Sequence, residues 1–130
     1  IYNQKVPFYD MINDHVVSLI NLESLKDFES RSGLSIDHER FRPNIVIDGM
    51  KPFQELELAK KKIKIGDTLF EVFCNTPRCK ATIYPYQSII SDFNLPEKLN
   101  EVYGHIDFGI YLKPISSGHI NLDNTISIFE

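Results

Sequence analysis

Apolar residues recur along this chain with two spacings, one suited to strands and one suited to helices. Residues 15–20 form a short apolar stretch that predicts a strand, and a helical pattern follows it directly. Asn21 is a favourable cap for the start of this helix, and Gly33 suits its end. A second helix is predicted between a capping Asn94 and a terminating Gly104. The apolar stripes of the two helices are Leu22, Leu25 and Phe28, and Leu99, Val102 and Tyr103.

Two segments in the first half of the chain predict further strands. Residues 40–47 are expected to be extended, because Pro43 and the isoleucines after it disfavour helix. Residues 62–74 predict a hairpin that turns at Gly66-Asp67. Both faces of its second strand are largely apolar, so this strand is expected to be central. The residues expected to share a face are Arg40, Arg42 and Asn44 in the first segment, and Phe70, Val72 and Cys74 in the central strand.

The second half of the chain adds three more strand patterns. Residues 79–84 and 105–115 each predict a strand, and residues 119–129 predict a closing hairpin that turns at Asp123-Asn124. Six or more short strands with two or three short α-helices indicate a mainly β fold, a closed or strongly curved β-barrel decorated with helices. In the strand over 105–115, the residues expected to share one face are Ile106, Phe108, Ile110 and Leu112.

The composition bounds the classes of function. The 130 residues are 42% hydrophobic and 25% charged, which is typical of a soluble domain with its own core. Residues 1–130 are therefore predicted to form a single domain. The net charge of −4 argues against a nucleic-acid partner, and the basic run over 60–64 is interpreted as a solvated strand face. No apolar run could span a bilayer and no signal peptide is visible, which predicts no membrane partner and a cytoplasmic location.

Both cysteines lie in the stretch EVFCNTPRCKATIYP, residues 71–85. Cys74 is expected in the core, because a buried free cysteine behaves as a small hydrophobic residue. Cys79 follows a turn and stands next to Arg78, so a thiolate there could attack an electrophile, carry a persulfide or bind a soft metal. A second core cysteine is the alternative. A disulfide is disfavoured in a reducing compartment, and the four scattered histidines give no zinc-ligand spacing.

Three groups of polar residues each allow two interpretations. Arg40, Arg42 and Asn44 on one strand face would bind phosphate oxygens in a fork geometry, or would form salt bridges with neighbouring acids. Asn21 and Ser24 flank a helix N-terminus, which attracts anions, but the side chains also suit simple capping. A third group, expected side by side on a strand either for proton transfer or for structure alone, is His105 and Asp107.

The order of the motifs is more specific than any one of them. SLINLESLKDFE is followed by RFRPNIVIDG, PFQELEL, IGDTLFEV, RCKAT and YGHIDFGIY, and then by the expected terminal hairpin. In this order the motifs resemble the MOSC domain, the C-terminal domain of molybdenum-cofactor sulfurases. The same domain occurs in the mitochondrial amidoxime-reducing component and in small bacterial proteins. The resemblance covers about residues 10–128, and RFRPN and the Arg-Cys pair are its most specific signals.

The resemblance implies a β-barrel-like fold and the molybdenum cofactor (molybdopterin) as ligand. Cys79 matches the characteristic cysteine of the family, which is thought to ligate molybdenum in the reductase members and to handle sulfur in the sulfurases. Arg42 and Asn44 match the residues that hold the pterin phosphate region, and Asn21 and Ser24 fall beside the cofactor. The expected site residues are Cys79 as catalytic and metal-ligating residue, and Asn21, Ser24, Arg40, Arg42, Asn44 and Arg78 as cofactor-binding residues.

Three functions follow from these expectations. The first is a cofactor-binding domain in which Cys79 is the molybdenum ligand or a persulfide carrier supplied by a cysteine desulfurase. The second is a molybdenum-dependent oxidoreductase of N-hydroxylated substrates, served by an electron-transfer protein, and the third is a non-catalytic barrel. Whether the chain is an enzyme stays open between sulfur transfer and molybdenum redox chemistry. Glu55 matches the first acid of a family Glu-Asp pair, but Leu56 replaces the second, and the N-terminal barrel that accompanies many members is expected to be missing.

Overall fold

The sheet and helices of this protein are seen in a computed structural model, which describes residues 16–79, 92–116 and 118–129. Within these residues the chain forms six strands, two α-helices and two short 3-10 helices. In chain order they are β1 Val17–Asn21, α1 Leu22–Ser32, a 3-10 helix His38–Phe41, β2 Ile45–Ile47, a 3-10 helix Gln54–Glu57, β3 Lys62–Ile65, β4 Thr68–Pro77, α2 Leu95–Tyr103, β5 Asp107–Pro114 and β6 Ile126–Phe129. The strand predicted over 79–84 lies outside the described residues apart from Cys79.

Both helix predictions are confirmed, down to their caps. The Asn21 side chain accepts a hydrogen bond from the Glu23 backbone N–H, and Asn94 caps α2 in the same manner. Both helices end at glycines in the left-handed region, Gly33 at φ 74° and Gly104 at φ 80°. These short-range bonds satisfy backbone groups that a helix end leaves unpaired. Local sequence therefore decides where both helices begin and end.

The six strands form one sheet in the order β2-β1-β5-β4-β3-β6, curled into a half-barrel. Only β1 and β2 run parallel, and every other neighbouring pair is antiparallel. The predicted central position of β4 is confirmed, because it lies between β5 and β3. The β3–β4 hairpin also forms as predicted, with Lys62 and Lys64 exposed and Ile63 and Ile65 buried. The mainly β, barrel-like fold predicted from the sequence is therefore correct.

Strand direction brings several element ends to one edge of the sheet. Both β1 and β4 run antiparallel to β5, so their C-terminal residues, Asn21 and Pro77, lie where β5 begins at Asp107. Strand β2 is parallel to β1 and ends there too, with Ile47 paired to Asn21. We call this the Cys79 edge, because Cys79 lies two residues after the end of β4. The start of α1 and the loop after β2 also lie at this edge.

Two hydrophobic clusters pack against the sheet. The first lies among the strands, and the second joins the sheet to the helices. Tyr103 strengthens the second cluster, because its hydroxyl donates to Asp27 Oδ2 at 2.6 Å and so links α2 to α1. The first cluster comprises Leu19, Ile45, Ile47, Leu58, Ile63, Ile65, Phe70, Val72, Ile110 and Leu112. The second comprises Ile20, Leu25, Phe28, Ile36, Phe41, Leu95, Leu99 and Phe108.

A bulge in β4 changes the face on which Cys74 lies. Val72 pairs with Leu112, but Cys74 pairs with Tyr111, so β4 holds one extra residue at this point. The extra residue moves Cys74 to the face opposite Val72. The predicted shared face of Phe70, Val72 and Cys74 is therefore wrong. The prediction of a core position for Cys74 is also wrong, because this residue is half-buried and belongs to neither core cluster.

A second irregularity falls in β5 at Gly109. Asn75 pairs with Ile110 and Pro77 pairs with Asp107, so β5 holds the extra residue here. Gly109 adopts φ 83°, which favours glycine. Ile110 consequently packs in the first cluster and Phe108 in the second. The predicted common face of these two residues is wrong, because an alternating pattern does not reveal an inserted residue.

Residues 40–44 do not form the predicted strand. The segment His38–Phe41 is a 3-10 helix capped by Asp37, and Arg42 follows in the left-handed region at φ 51°. The strand begins only at Ile45. The expected common strand face of Arg40, Arg42 and Asn44 is therefore wrong. Asp37 provides the physical reason, because its side chain accepts the Glu39 N–H and starts a turn.

The predicted closing hairpin is also wrong. Strand β6 forms, but it pairs with β3 and no strand is seen over the described residues 118–122. Asn121 and Asn124 close a tight turn around residues 122–123, with the Asn121 N–H donating to Asn124 Oδ1 at 2.7 Å and the Asn124 N–H donating to the Asn121 carbonyl at 3.1 Å. This side-chain-assisted turn replaces the first strand of the hairpin.

Candidate functional site

The Cys79 edge carries an exposed thiol. Cys79 lies two residues beyond the end of β4, and it does not form a disulfide with the half-buried Cys74. An exposed thiol can be reached by a ligand or by a partner protein, which a core thiol cannot. Burial, and after it the Asp107 charge, raises the pKa of the Cys74 thiol. Cys74 is therefore held in its less reactive protonated form.

Arg78 ties the Cys79 segment to two other parts of the chain. Its Nε donates to the Phe108 carbonyl at 2.9 Å, and Nη2 donates to the same oxygen. Its Nη1 donates to the Phe41 carbonyl at 3.2 Å. The guanidinium also lies 5.0 Å from the Phe41 ring centroid and 6.0 Å from that of Phe108, and the two rings stack at 4.2 Å. Arg78 is thus a clamp beside Cys79.

The clamp also positions Arg42. The Phe41 carbonyl that accepts from Arg78 belongs to the peptide bond joining Phe41 to Arg42. Arg42 is exposed and adopts a left-handed backbone, which carries the chain out of the 3-10 helix. The structure therefore brings the segments that carry Arg42 and Cys79 to the same guanidinium, although 37 residues separate Arg42 from Cys79 in sequence.

The shape of the Arg78 contacts gives a stability prediction. Lysine keeps the positive charge but presents a single ammonium, which cannot reproduce the fork that contacts both carbonyls. We expect Arg78→Lys to lower the free energy of unfolding by about 1–2 kcal/mol in urea denaturation. Arg31→Lys is the matched control, because the exposed Arg31 forms a salt bridge with Asp27 on the surface of α1, and it should change stability by less than about 0.5 kcal/mol. Equal effects of the two substitutions would contradict the clamp.

A buried carboxylate lies beneath the same edge. Glu55 is 0% exposed, and its Oε2 accepts from Ser24 Oγ at 2.7 Å and its Oε1 from Asn21 Nδ2 at 3.1 Å. Asn21 Nδ2 also contacts the Met50 and Lys51 carbonyls. This network, which we call the Glu55 network, fixes the loop after β2 to the start of α1. The structure thus joins the predicted residues Asn21 and Ser24 to Glu55.

Burial raises the pKa of Glu55, although the hydrogen bonds from Ser24 and Asn21 oppose this. A carboxyl whose pKa is higher in the folded than in the unfolded chain stabilises the fold fully below its unfolded pKa, and loses that contribution as pH rises through its folded pKa. We therefore expect wild type to lose stability relative to Glu55→Gln as pH is raised from about 4.5. Urea unfolding of both proteins between acidic and neutral pH measures this difference, and a constant difference would contradict it.

The other two predicted cofactor-binding residues have structural partners. The Arg40 guanidinium is buried, pairs with Asp92 and lies 4.0 Å from the Phe93 ring centroid. The hydrogen bond from Arg40 is the largest cause that lowers the pKa of Asp92. Asn44 is buried, and its Oδ1 accepts from the Ser18 N–H at 2.8 Å. Their role in cofactor binding stays a prediction.

His105 and Asp107 meet in a different way from the predicted one. The His105 Nδ1 accepts from the Asp107 backbone N–H at 3.1 Å, so the bond does not involve the Asp107 carboxylate. This bond places the proton of a neutral imidazole on Nε2. The His105 ring also stacks on Tyr103 with centroids 5.8 Å apart. The observed contacts favour the structural interpretation of this pair.

Sequence reasoning missed two contributors to this region. Asp92, the partner of Arg40, is 52 residues away and has no local pattern that marks it. Gly109 admits Arg78, because a Cβ built on it would lie 3.1 Å from Nη2 and 2.6 Å from the Leu19 carbonyl oxygen. A glycine inside an alternating strand is the signal that predicts such a bulge or close approach.

The fold and this edge define a mainly β half-barrel that presents an exposed thiol next to a clamped arginine. Comparison with known proteins agrees with this class. The family model of the MOSC domain matches residues 9–127, so the chain belongs to the MOSC domain family. Among the residues that the structure describes, no helix is both long and apolar enough to cross a bilayer, and the cytoplasmic location stays a prediction.

Two similar proteins are molybdenum cofactor sulfurases. The one from Drosophila mojavensis is 30% identical over 111 residues, which cover 82% of this chain and 14% of that protein. The one from Oryza sativa subsp. japonica is 36% identical over 80 residues, which cover 55% of this chain and 10% of that protein. The chain thus spans only a small part of these relatives. YiiM from Geobacillus stearothermophilus shares the fold, with a TM-score of 0.66 at 18% identity over 88% of this chain and 54% of YiiM.

Proposed function

We propose that this MOSC domain binds the molybdenum cofactor at the Cys79 edge and uses Cys79 as the molybdenum ligand or as a sulfur carrier. The observation that carries this proposal is the exposed Cys79 thiol next to the Arg78 clamp, which also holds the peptide before the exposed Arg42. Family membership and the similarity to sulfurases support the choice of cofactor.

The residues at the Cys79 edge suit a metal ion that is already coordinated by an organic ligand. Among the described residues no group of three or more His, Cys, Asp or Glu side chains could hold a bare metal ion. A single thiolate suffices for a metal chelated by its own organic ligand, and thiolate suits a soft metal. Two buried oxygens near the end of β4, Asn75 Oδ1 and Thr76 Oγ1, have no hydrogen-bond partner among the described residues, so they could accept hydrogen bonds from a ligand.

Each of these residues would have its own role in cofactor binding. Arg42 would bind the phosphate of the pterin with its guanidinium fork. Arg78 would fix the position of Cys79 relative to Arg42. Asn21, Ser24 and Asn44 would fix the surrounding backbone. Further contacts to the cofactor from Arg40 and Arg78 remain part of the proposal. When bound, the cofactor would supply a molybdenum centre that accepts sulfur ligands.

As a sulfur carrier, Cys79 would need a donor such as the persulfide of a cysteine desulfurase. The Cys79 thiolate attacks the outer sulfur of the donor persulfide, and a new S–S bond forms as the donor S–S bond breaks. The donor cysteine leaves as a thiolate and takes up a proton. No external oxidant or reductant is required, because the sulfane sulfur keeps its oxidation state.

The test is the molybdenum and pterin content of protein purified from a host that makes the cofactor. Wild type is compared with Cys79→Ala and Cys74→Ala, the two single-thiol variants. We expect near-stoichiometric molybdenum in wild type and Cys74→Ala, and at least a tenfold loss in Cys79→Ala. Arg42→Ala should lower pterin content without altering the fold. Retention of molybdenum by Cys79→Ala would contradict the ligand role.

A persulfide assay separates the two roles of the thiol. After incubation with a cysteine desulfurase and cysteine, a carrier would gain one sulfur atom of mass on Cys79 and none on Cys74. A chain that takes up neither molybdenum nor sulfur would be a non-catalytic barrel. That result would overturn the proposed function as a whole.

A further inference from the structure

A cavity of about 510 Å³ lies between β2 and β6, and its described lining also includes Leu22 at the start of α1 and residues 48–50 of the loop after β2. Its apolar walls come from the two outermost strands of the sheet, with Val46 and Ile47 on β2 and Ile126 and Ile128 on β6. None of Arg42, Arg78 and Cys79 lines it. The volume lies in the range of small-molecule sites, and the lining combines these apolar side chains with the polar residues Asp48, Gln54, Asn124 and Thr125.

The described lining of the cavity carries negative charge and no positive charge. Asp48 is the one charged residue among the described lining residues, which include no lysine, arginine or histidine. Within the described part of the chain, the Asp48 carboxylate forms no hydrogen bond or ion pair, whereas Asp27, Glu55 and Asp92 all do. This exposed, acceptor-only carboxylate at the rim of the cavity attracts a cation and repels an anion.

The walls are held by contacts outside the cavity. The Met50 carbonyl accepts from Asn21 Nδ2 of the Glu55 network, which fixes the loop that carries Asp48. On the other side, Asn124 Oδ1 accepts from the Asn121 N–H. Gly66 permits the close approach of Asn124, since a Cβ at Gly66 would lie 2.2 Å from Asn124 Oδ1. The cavity is therefore preformed, which reduces the entropic cost of binding.

We propose that this cavity is a second ligand site, which binds a small molecule with an apolar body and a protonated amine. The amine would contact Asp48, and the body would lie between Val46 and Ile126. A phosphate-bearing cofactor does not suit this site because no basic side chain among the described lining residues could neutralise it. The proposed contacts do not involve Cys79, Arg42 or Arg78, and the occupant has a charge opposite to that of the cofactor.

The test uses three probes of matched length, n-hexylamine, n-hexanol and hexanoate, titrated at pH 7 into the full chain. Methyl NMR shifts of the wild-type protein report where each probe binds. We expect hexylamine to shift the methyl signals of Val46 and Ile126, with an affinity about threefold above hexanol and about tenfold above hexanoate. No shift at these methyl groups with any probe, or equal affinity for hexylamine and hexanoate, would overturn the proposal.

Substitutions at single residues test which side chains cause the preference for hexylamine. Asp48→Asn keeps the turn chemistry of the Asp48-Gly49 pair and should abolish the preference for hexylamine over hexanol. Glu57→Gln is the matched control, because this exposed carboxylate does not line the cavity, and it should leave the preference intact. Val46→Trp should fill the cavity and lower the binding affinity of all three probes at least tenfold. Cys79→Ala should bind hexylamine like wild type. The hexylamine result therefore does not depend on whether Cys79 binds the cofactor. An unchanged preference in Asp48→Asn would overturn the assignment.

Discussion

Gly109→Ala should lower the free energy of unfolding by about 3 kcal/mol, a large fraction of the stability of a domain of this size. At φ 83° an alanine is strained, which alone costs about 1–2 kcal/mol. Its Cβ would also lie 2.6 Å from the Leu19 carbonyl oxygen and 3.0 Å from Ile20 Cγ2. The Leu19 oxygen belongs to the backbone of the neighbouring strand, so β1 and β5 would have to separate.

Gly33→Ala is the control that separates backbone strain from overlap. Gly33 has φ 74°, but a Cβ there meets no atom within 4 Å, so the expected loss is only about 1–2 kcal/mol. Urea unfolding of the two variants measures the difference. We also expect Gly109→Ala to change Cys79 reactivity, because the added methyl would lie 3.1 Å from the Arg78 Nη2. Equal losses in the two variants would show that the bulge at Gly109 does not require close approach.

Glu55→Ala has the second large expected effect. Removal of this carboxylate leaves a void and deprives the buried Ser24 hydroxyl of its acceptor, while Asn21 Nδ2 keeps the Met50 and Lys51 carbonyls. A buried donor without a partner costs about 1–3 kcal/mol and the void adds to this cost, so the expected loss of stability is about 3 kcal/mol. The loop that carries Met50 and Lys51 should also loosen, because Asn21 holds both carbonyls. Urea unfolding and hydrogen exchange of this loop test the two consequences.

Glu57→Ala is the matched control for this substitution. Glu57 belongs to the same 3-10 helix as Glu55, Gln54–Glu57, but its side chain is exposed. Its replacement should change stability by less than about 0.5 kcal/mol. If Glu55→Ala were as mild as Glu57→Ala, the network would be unimportant for folding. Glu55→Gln should give an intermediate loss, because its amide accepts one hydrogen bond but presents a donor where the second acceptor was.

The Arg78 clamp and the Glu55 network give the Cys79 edge a rigid base. The first fixes the segment that carries the thiol, and the second fixes the start of α1 and the loop after β2. Phe53 connects them, since its N–H donates to Ser24 Oγ and its ring lies 5.8 Å from that of Phe108. A binding edge supported in this way needs little reorganisation when a ligand arrives.

Local chemistry determined much of the fold. The caps Asn21 and Asn94 and the ends of both helices depend on contacts within one turn, and the β3–β4 hairpin depends on a short turn and on alternation. Such features can be predicted because the residues that cause them are adjacent in sequence. The order of short motifs also predicted the family, which the match over residues 9–127 confirms.

Only the tertiary structure decided the rest, because the deciding contacts are distant in sequence. The bulge between Val72 and Cys74 changes the face of Cys74, and the bulge at Gly109 changes the face of Phe108; both depend on how β4 and β5 pair. Arg40 donates to Asp92, which is 52 residues away in sequence. Glu55 accepts from Ser24, which is 31 residues away. An arginine or a carboxylate in a sequence shows its charge but not its partner. Burial then determines whether that charge binds a ligand or supports the fold.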